Sequence, residues 1–115
     1  MMRTVRLEIA RCHEFPEGSA VHGYELHLPI RSDGKIDRES WPKYKYNSGF
    51  RRFWGADEER GRVKHGASGW ILSFAGTEPE EVIFRGDDHR FATGEYVSIT
   101  ERDGITRTFK VVSVH

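Results

Sequence analysis

The densest concentration of chemically capable side chains in this sequence lies between Ser40 and Ala56. The stretch has no acidic residue, and it interleaves Trp41, Tyr44, Tyr46, Phe50, Phe53 and Trp54 with Lys43, Lys45, Arg51 and Arg52. Aromatic faces stack on bases and neighbouring cations hold phosphates, so this is the composition of an anion or single-stranded nucleic-acid site. Its candidate binding residues are Arg51, Arg52, Phe53, Trp54 and Trp41. If 50–54 is extended, Phe50, Arg52 and Trp54 share one face, because alternate residues of a strand point the same way. The competing reading is structural: rings of this size bury, and Lys and Arg stems lie over them with their charged heads in water.

The histidines are His13, His22, His27, His65, His89 and His115. No pair has a zinc-finger or His-Glu-x-x-His spacing, so no metal and no cofactor are expected. His22, Asp87 and His89 form a candidate polar site, since an Asp that orients a His supports acid–base or metal-assisted hydrolysis. The bland alternative is that Asp87-Asp88-His89-Arg90, following Gly86, is a polar loop closed by an Asx-turn. His22 falls on the inward phase of its segment with Tyr24 and Leu26, and His27 on the outward phase, so the two cannot share an ion. Cys12 beside His13 invites a thiolate–imidazole pair, but adjacent residues of a strand point apart.

The elements that must position these residues are mostly strands. Val5, Leu7 and Ile9 alternate with polar neighbours, as do Tyr24, Leu26, Leu28 and Ile30. Trp70-Leu72-Phe74, Val82-Phe84, Val97-Ile99 and Phe109-Val111 repeat the pattern. Pro29 lacks a ladder donor and places its strand at an edge there. Around Arg102-Asp103-Gly104, a three-residue loop pairs Val97 with Phe109, Ile99 with Arg107 and Glu95 with Val111, which keeps the apolar residues on one face. The same loop at Ser32-Asp33-Gly34 pairs Ile30 with Ile36, and both glycines are expected to be left-handed. Asp37 can cap a helix over 38–46, which Pro42 must shorten or kink. The expected fold is mainly β: a small antiparallel barrel or strongly curved sheet of about 6–7 strands in one domain, 1–115, with one short helix near 38–46.

Composition narrows the function classes. Lys plus Arg and Asp plus Glu are both 18, and zero net charge argues against a domain built to wrap a polyanion. The acids of 76–95 balance the basic 40–56 segment, so these charges can pair within the fold or across a homodimer. Disorder is disfavoured by 3 Trp, 4 Tyr and 7 Phe. Cys12 is the one cysteine, so no internal disulfide forms. With no long apolar run for a membrane span and no signal-peptide pattern, a soluble cytoplasmic protein is expected.

The stretches His13–Ser19, His22–Glu25, Arg51–Gly55, His89–Phe91 and Gly94–Ile99 resemble a group of short bacterial proteins of alphaproteobacterial type with no known activity. The resemblance covers most of the chain and implies a soluble bacterial single-domain protein. It transfers no catalytic or binding residue.

The expectation is therefore a small non-enzymatic binding or protein-interaction domain, with a protein partner or a second copy meeting the 40–56 segment. The alternatives are an anion or single-stranded nucleic-acid binder using that segment and a small His/Asp-based or metal-assisted hydrolytic enzyme.

Overall fold

Strands with one apolar side need a shared dry interior, and this chain supplies it by curling one sheet on itself. A computed structural model describes residues 1–67 and 69–115, Asp88 through its backbone alone. The strands are β1 (Met2–Ile9), β2 (Ser19–Pro29), β3 (Gly49–Trp54), β4 (Asp57–Gly66), β5 (Gly69–Phe74), β6 (Glu81–Phe84), β7 (Tyr96–Thr100) and β8 (Thr106–Val114). All pairings are antiparallel, in the order β6-β5-β4-β3-β2-β1-β8-β7. That order follows the chain around a circle, with β8 returning to β1 and one seam left between β6 and β7. Across the seam, Cα atoms come within 8 Å. The architecture is a nearly closed up-and-down barrel.

The count of eight strands among the described residues corrects the expected six or seven. The strands concealed by the sequence are β3 and β4. The inward positions of β4 are Glu59, Gly61, Val63 and His65, with Val63 the one apolar residue fully enclosed. Gly61 is inward for a packing reason: a Cβ there would lie 2.1 Å from the Ser73 carbonyl oxygen and 2.6 Å from the Phe50 ring. The ring of Phe50 takes the space that an apolar side chain at 61 would need.

The helix is shorter than 38–46. The α1 helix spans Trp41–Tyr44, with Pro42 in its first turn, where a missing N–H costs nothing. Asp37 does not cap it directly; its Oδ1 accepts the Ser40 N–H at 3.2 Å in the preceding turn. A short 3₁₀ turn follows at Gly86–Asp88.

Both hairpin loops form as the register argument requires. Val97 pairs with Phe109 and Ile99 with Arg107, the Val111 N–H donates to the Glu95 carbonyl, and Gly104 sits at φ +83°. Ile30 bridges to Ile36, and Gly34 has φ +87°. The β2 strand is internal to the sheet, flanked by β1 and β3, yet it is at an edge locally at Pro29, as the missing donor requires. The β3 ladder stops at His27–Gly49, so at Pro29 the side lacking a donor faces no strand, and its carbonyl accepts from Asp37 N–H.

One contiguous core fills the barrel, from Val5, Leu7 and Ile9 through Tyr24, Leu26 and Leu28 to Trp70, Phe84, Phe109 and Val111. The two ends close differently. At the lower end Trp41 meets Trp70 edge-on at 4.8 Å, and buried Phe91 donates its N–H to the Gly34 carbonyl at 2.7 Å. At the upper end the inward side chains turn from apolar to charged.

Candidate functional site

The alternation that buries Val97 and Ile99 continues to Glu101, and the alternation that buries Val111 and Phe109 continues to Arg107. The β7–β8 hairpin therefore aims one carboxylate and one guanidinium into the upper end of the barrel. Tyr24 pairs with Arg52 across β2 and β3, and Arg52 pairs with Glu59 across β3 and β4, which brings these groups to the same level.

Glu101 is the hub. Its side chain is 3% exposed and that of Arg107 8%, so both charges are removed from water. Burial of each ion costs several kcal/mol unless paired with good geometry. Here Arg107 Nη1–H donates to Glu101 Oε1 at 2.8 Å, and Arg52 donates through Nε–H at 2.7 Å and Nη2–H at 3.3 Å. The Tyr24 hydroxyl donates to Oε2. A carboxylate offers about four lone-pair sites, and these donors fill them.

An outer ring neutralises the remaining charge. Arg107 reaches Glu14 at 2.8 and 3.0 Å and Asp103 at 2.9 and 3.2 Å. Arg102 donates through Nη1–H to Glu59 at 2.8 Å and lies 3.8 Å over the Phe74 ring. Arg52 lies 4.0 Å over Trp54.

Burial, reinforced by the charge of Glu101, pushes the Tyr24 phenol well above its ordinary range, so it stays a donor. Hydrogen bonds from Arg107 hold Glu14 and Asp103 below the usual carboxylate range, and Arg102 does the same to Glu59. The bonds that Arg107 makes to its acceptors, that to Glu14 foremost and those to Asp103 and Glu101 after it, raise Arg107. Arginines and a raised tyrosine have no proton to exchange near neutrality, and the carboxylate at the centre has no lone pair to spare. Among the described residues no buried side-chain nitrogen or oxygen lacks a hydrogen bond. The arrangement is a charged plug; a shallow cleft of about 320 Å³ above it is lined by Arg52, Glu80, Glu101, Arg102, Asp103 and Arg107.

The five candidates from the basic-aromatic segment separate into three places. Phe50, Arg52 and Trp54 share the inward face, with Trp54 packed against His22 at 4.8 Å and Phe15 at 5.8 Å. Arg51 and Phe53 are on the outside of the barrel. There Arg51 pairs with Glu25 at 2.8 Å, and buried Phe53 lies between the guanidinium groups of Arg6 at 4.4 Å and Arg51 at 4.9 Å. Trp41 is at the lower end. The acids that pair with Arg51 are Glu25 and, more distantly, Glu58, and those that pair with Arg52 are Glu101 and, more distantly, Glu59; none belongs to 76–95.

The polar trio also divides. A register slip after Glu8 pairs Ile9 with Ser19 and throws Ala20–His22 out of the β1 ladder. Gly23 permits it, since a Cβ there would lie 1.9 Å from the Leu7 carbonyl oxygen. His22 then packs on Phe15 at 4.4 Å and bonds Ser19 Oγ at 2.7 Å at the upper end. Asp87 is at the lower end, accepting the Trp70 indole N–H at 3.0 Å with Arg38 3.7 Å away. Between the His22–Trp54–Asp57 row and the His65–Trp70 row runs β4, roughly 26 Å at about 3.3 Å per residue. His22 therefore cannot act with Asp87 and His89. The side chain of Asp88 lies outside the described residues. Among those described, no three His, Cys, Asp or Glu side chains are grouped to hold a metal.

Sequence reasoning missed Glu101, Arg107, Tyr24 and Glu14 as a unit. The signal was present in part: the hairpin register already paired Arg107 with Ile99, and the same alternation carries Glu101 to that face.

A second surface carries cations without carboxylate partners. The charged outward positions of β4 are Glu58, Arg60, Arg62 and Lys64; Arg60 pairs with Glu58 at 2.7 Å, whereas Arg62 and Lys64 have no ion pair among the described residues. The Val63 N–H donates to the Ser48 carbonyl, which brings the end of the 41–48 segment alongside. That segment contributes Lys43 and Lys45, which have no carboxylate partner among the described residues and lie near the Tyr44 and Tyr46 rings, and Tyr46, which is 73% exposed.

The fold and these two features define an up-and-down antiparallel barrel with a charged plug at one end and a basic strip outside. No family model, curated protein or solved structure matches the chain.

Proposed function

We propose that this protein is a small non-enzymatic binding domain whose contact surface is the outer strip of Lys43, Lys45, Tyr46, Arg62 and Lys64. The observation that carries the proposal is the division of charge. The guanidinium groups expected to bind, Arg51 and Arg52, are committed to Glu25 and Glu101, while the strip's cations face solvent with no carboxylate partner among the described residues. Interior chemistry is disfavoured because the buried polar groups are mutually saturated. The strip suits an anionic partner, the acidic surface of a protein in the first instance.

A single-stranded nucleic acid is the second reading, favoured by Tyr46. Its ring is open to a base, and Lys45 Nζ lies 5.1 Å from its centre, the pairing of ring and cation that stacks a base and holds a phosphate. The test titrates a fluorescent single-stranded oligonucleotide and an acidic peptide at low and high salt, against wild type and a Lys45→Gln/Arg62→Gln/Lys64→Gln variant. Binding that weakens with salt and is lost in the variant supports the strip. Binding unchanged in the triple variant, or none of either probe at low salt, would overturn it. Further loss of the oligonucleotide alone in Tyr46→Ala would choose the second reading.

A further inference from the structure

The lower end of the barrel holds a cleft that the outer strip does not include. It has a volume of about 490 Å³ and lies between the 31–35 loop and the 90–93 segment, against the start of β1 and the end of β8. Four cations line it, Arg3, Arg31, Lys35 and Arg90, with Asp33 the one acid among the lining residues. Asp33 is already taken: it pairs with Arg31 and accepts the Lys35 N–H at 3.0 Å, and these contacts hold its carboxyl down at about 2. Arg3, Lys35 and Arg90 have no carboxylate partner among the described residues.

The convergence is built by the fold. Residues 3, 35 and 90 are far apart in sequence. The Phe91 N–H bond to the Gly34 carbonyl joins the two loops. The left-handed Gly34, at φ +87°, turns the loop so that the Arg90 stem passes over it, with Arg90 Cγ 3.4 Å from where a Cβ would stand, an ordinary contact distance. The floor is apolar, with Ile30 and Phe91 buried beneath and Ala92 and Val114 at the sides, and Ser32 and Thr93 are on the rim. Like charges gathered over a low-dielectric floor repel one another and concentrate the field, and a compact multivalent anion relieves both. Guanidinium groups match the oxygens of phosphate in pairs of hydrogen bonds.

We propose that this cleft is an anion site for a phosphate group, either free phosphate or the phosphate of a small monoester whose carbon portion rests on Ala92 and Val114. Lys35 also borders the adjacent cleft that holds Asp37, Glu39 and Asp87, so Arg3 and Arg90 carry the larger share of the recognition.

The test is a nitrogen-15 NMR titration with inorganic phosphate and, separately, phenyl phosphate, at constant ionic strength against chloride. Saturable shifts are expected at the amides of 31–35 and 90–93, with tighter binding of phenyl phosphate if the apolar side wall contributes. Equal affinities for the two would assign the site to free phosphate. Arg90→Gln with Arg3→Gln removes two guanidinium contacts and should weaken binding by at least about tenfold, the loss expected from one of them alone. Lys110→Gln, on the exposed outer face of β8 and away from the cleft, should leave the titration unchanged. If the first double variant loses its dispersed spectrum, Lys35→Gln alone, on an exposed loop, supplies the comparison and should still weaken binding. No saturable shift up to tens of millimolar phosphate, shifts confined to the outer strip, or an unchanged titration in a folded Arg3→Gln/Arg90→Gln protein would overturn the proposal.

Discussion

Glu101 shows how much a single residue can carry when it is dry. Removing its carboxylate leaves Arg52 and Arg107 as buried charges without their central partner. Glu101→Ala should therefore cost about 3–5 kcal/mol in urea unfolding. Glu25 makes as many ion pairs, to Arg6 and Arg51, but at the half-exposed outer face, where Glu25→Ala should cost about 1 kcal/mol or less. Similar losses for the two would mean that the plug is no drier than the surface. Tyr24 supplies a pH signature. The fold keeps its phenol protonated, so above the ordinary tyrosine value of 10.0 the unfolded chain loses a proton that the native protein retains, and stability falls as pH rises. Glu14, Glu59 and Asp103 act oppositely. They are held ionised, so their contribution is present above their ordinary values of 4.5 and 3.8 and is lost as pH falls through the depressed native values. Melting temperature against pH should give a plateau with an alkaline fall that Tyr24→Phe diminishes. An alkaline limb identical in that variant would show that Tyr24 does not cause it.

At the scale of elements, the hairpins were the most legible part of the sequence. Only a three-residue loop at Arg102–Gly104 keeps Val97, Ile99, Phe109 and Val111 on one side, and a loop of that length asks for a left-handed residue at its end. Gly104 meets that demand at φ +83°, and a Cβ there would touch nothing within 4 Å. Gly104→Ala should therefore pay a conformational cost alone, about 1–2 kcal/mol, with Gly104→Asn costing less. Unchanged thermal unfolding in the alanine variant would contradict the bulge. The β3 and β4 strands were hard to read for a physical reason. Alternation of apolar and polar residues marks a strand only where its inward positions meet a dry core. The inward end of β4 meets the charged plug through Glu59, and its middle yields space to Phe50 through Gly61. The helix was over-extended because Asp37 has capping chemistry but uses it in a turn three residues earlier.

On the scale of the whole molecule, the circular strand order leaves β6 and β7 as edges that face each other. Their Cα atoms approach within 8 Å, less than the two strand spacings of about 4.8 Å that an inserted strand would occupy, so the seam does not admit one there. Hydrogen exchange should be slowest in β1 and β2, which are paired on both sides, and faster in β6, a four-residue strand with one partner. Protection of β6 equal to that of β2 would mean that hydrogen bonds close the seam. No helix among the described residues is long and apolar enough to cross a membrane. The sequence by itself determined the β class and both hairpin registers, because these follow from local alternation and turn chemistry; the shared face of Phe50, Arg52 and Trp54 followed from it only on the condition that 50–54 is extended, which the fold supplies. Tertiary structure decided where each face points. It placed Arg52 and Trp54 in a charged plug, Arg51 and Phe53 on the outside and Trp41 at the far end, and it set His22 a barrel's length from Asp87. It also gathered Arg3, Lys35 and Arg90 around one cleft. Contacts between residues tens of positions apart depend on how the sheet closes, and closure is a property of the whole curved sheet that no local pattern encodes.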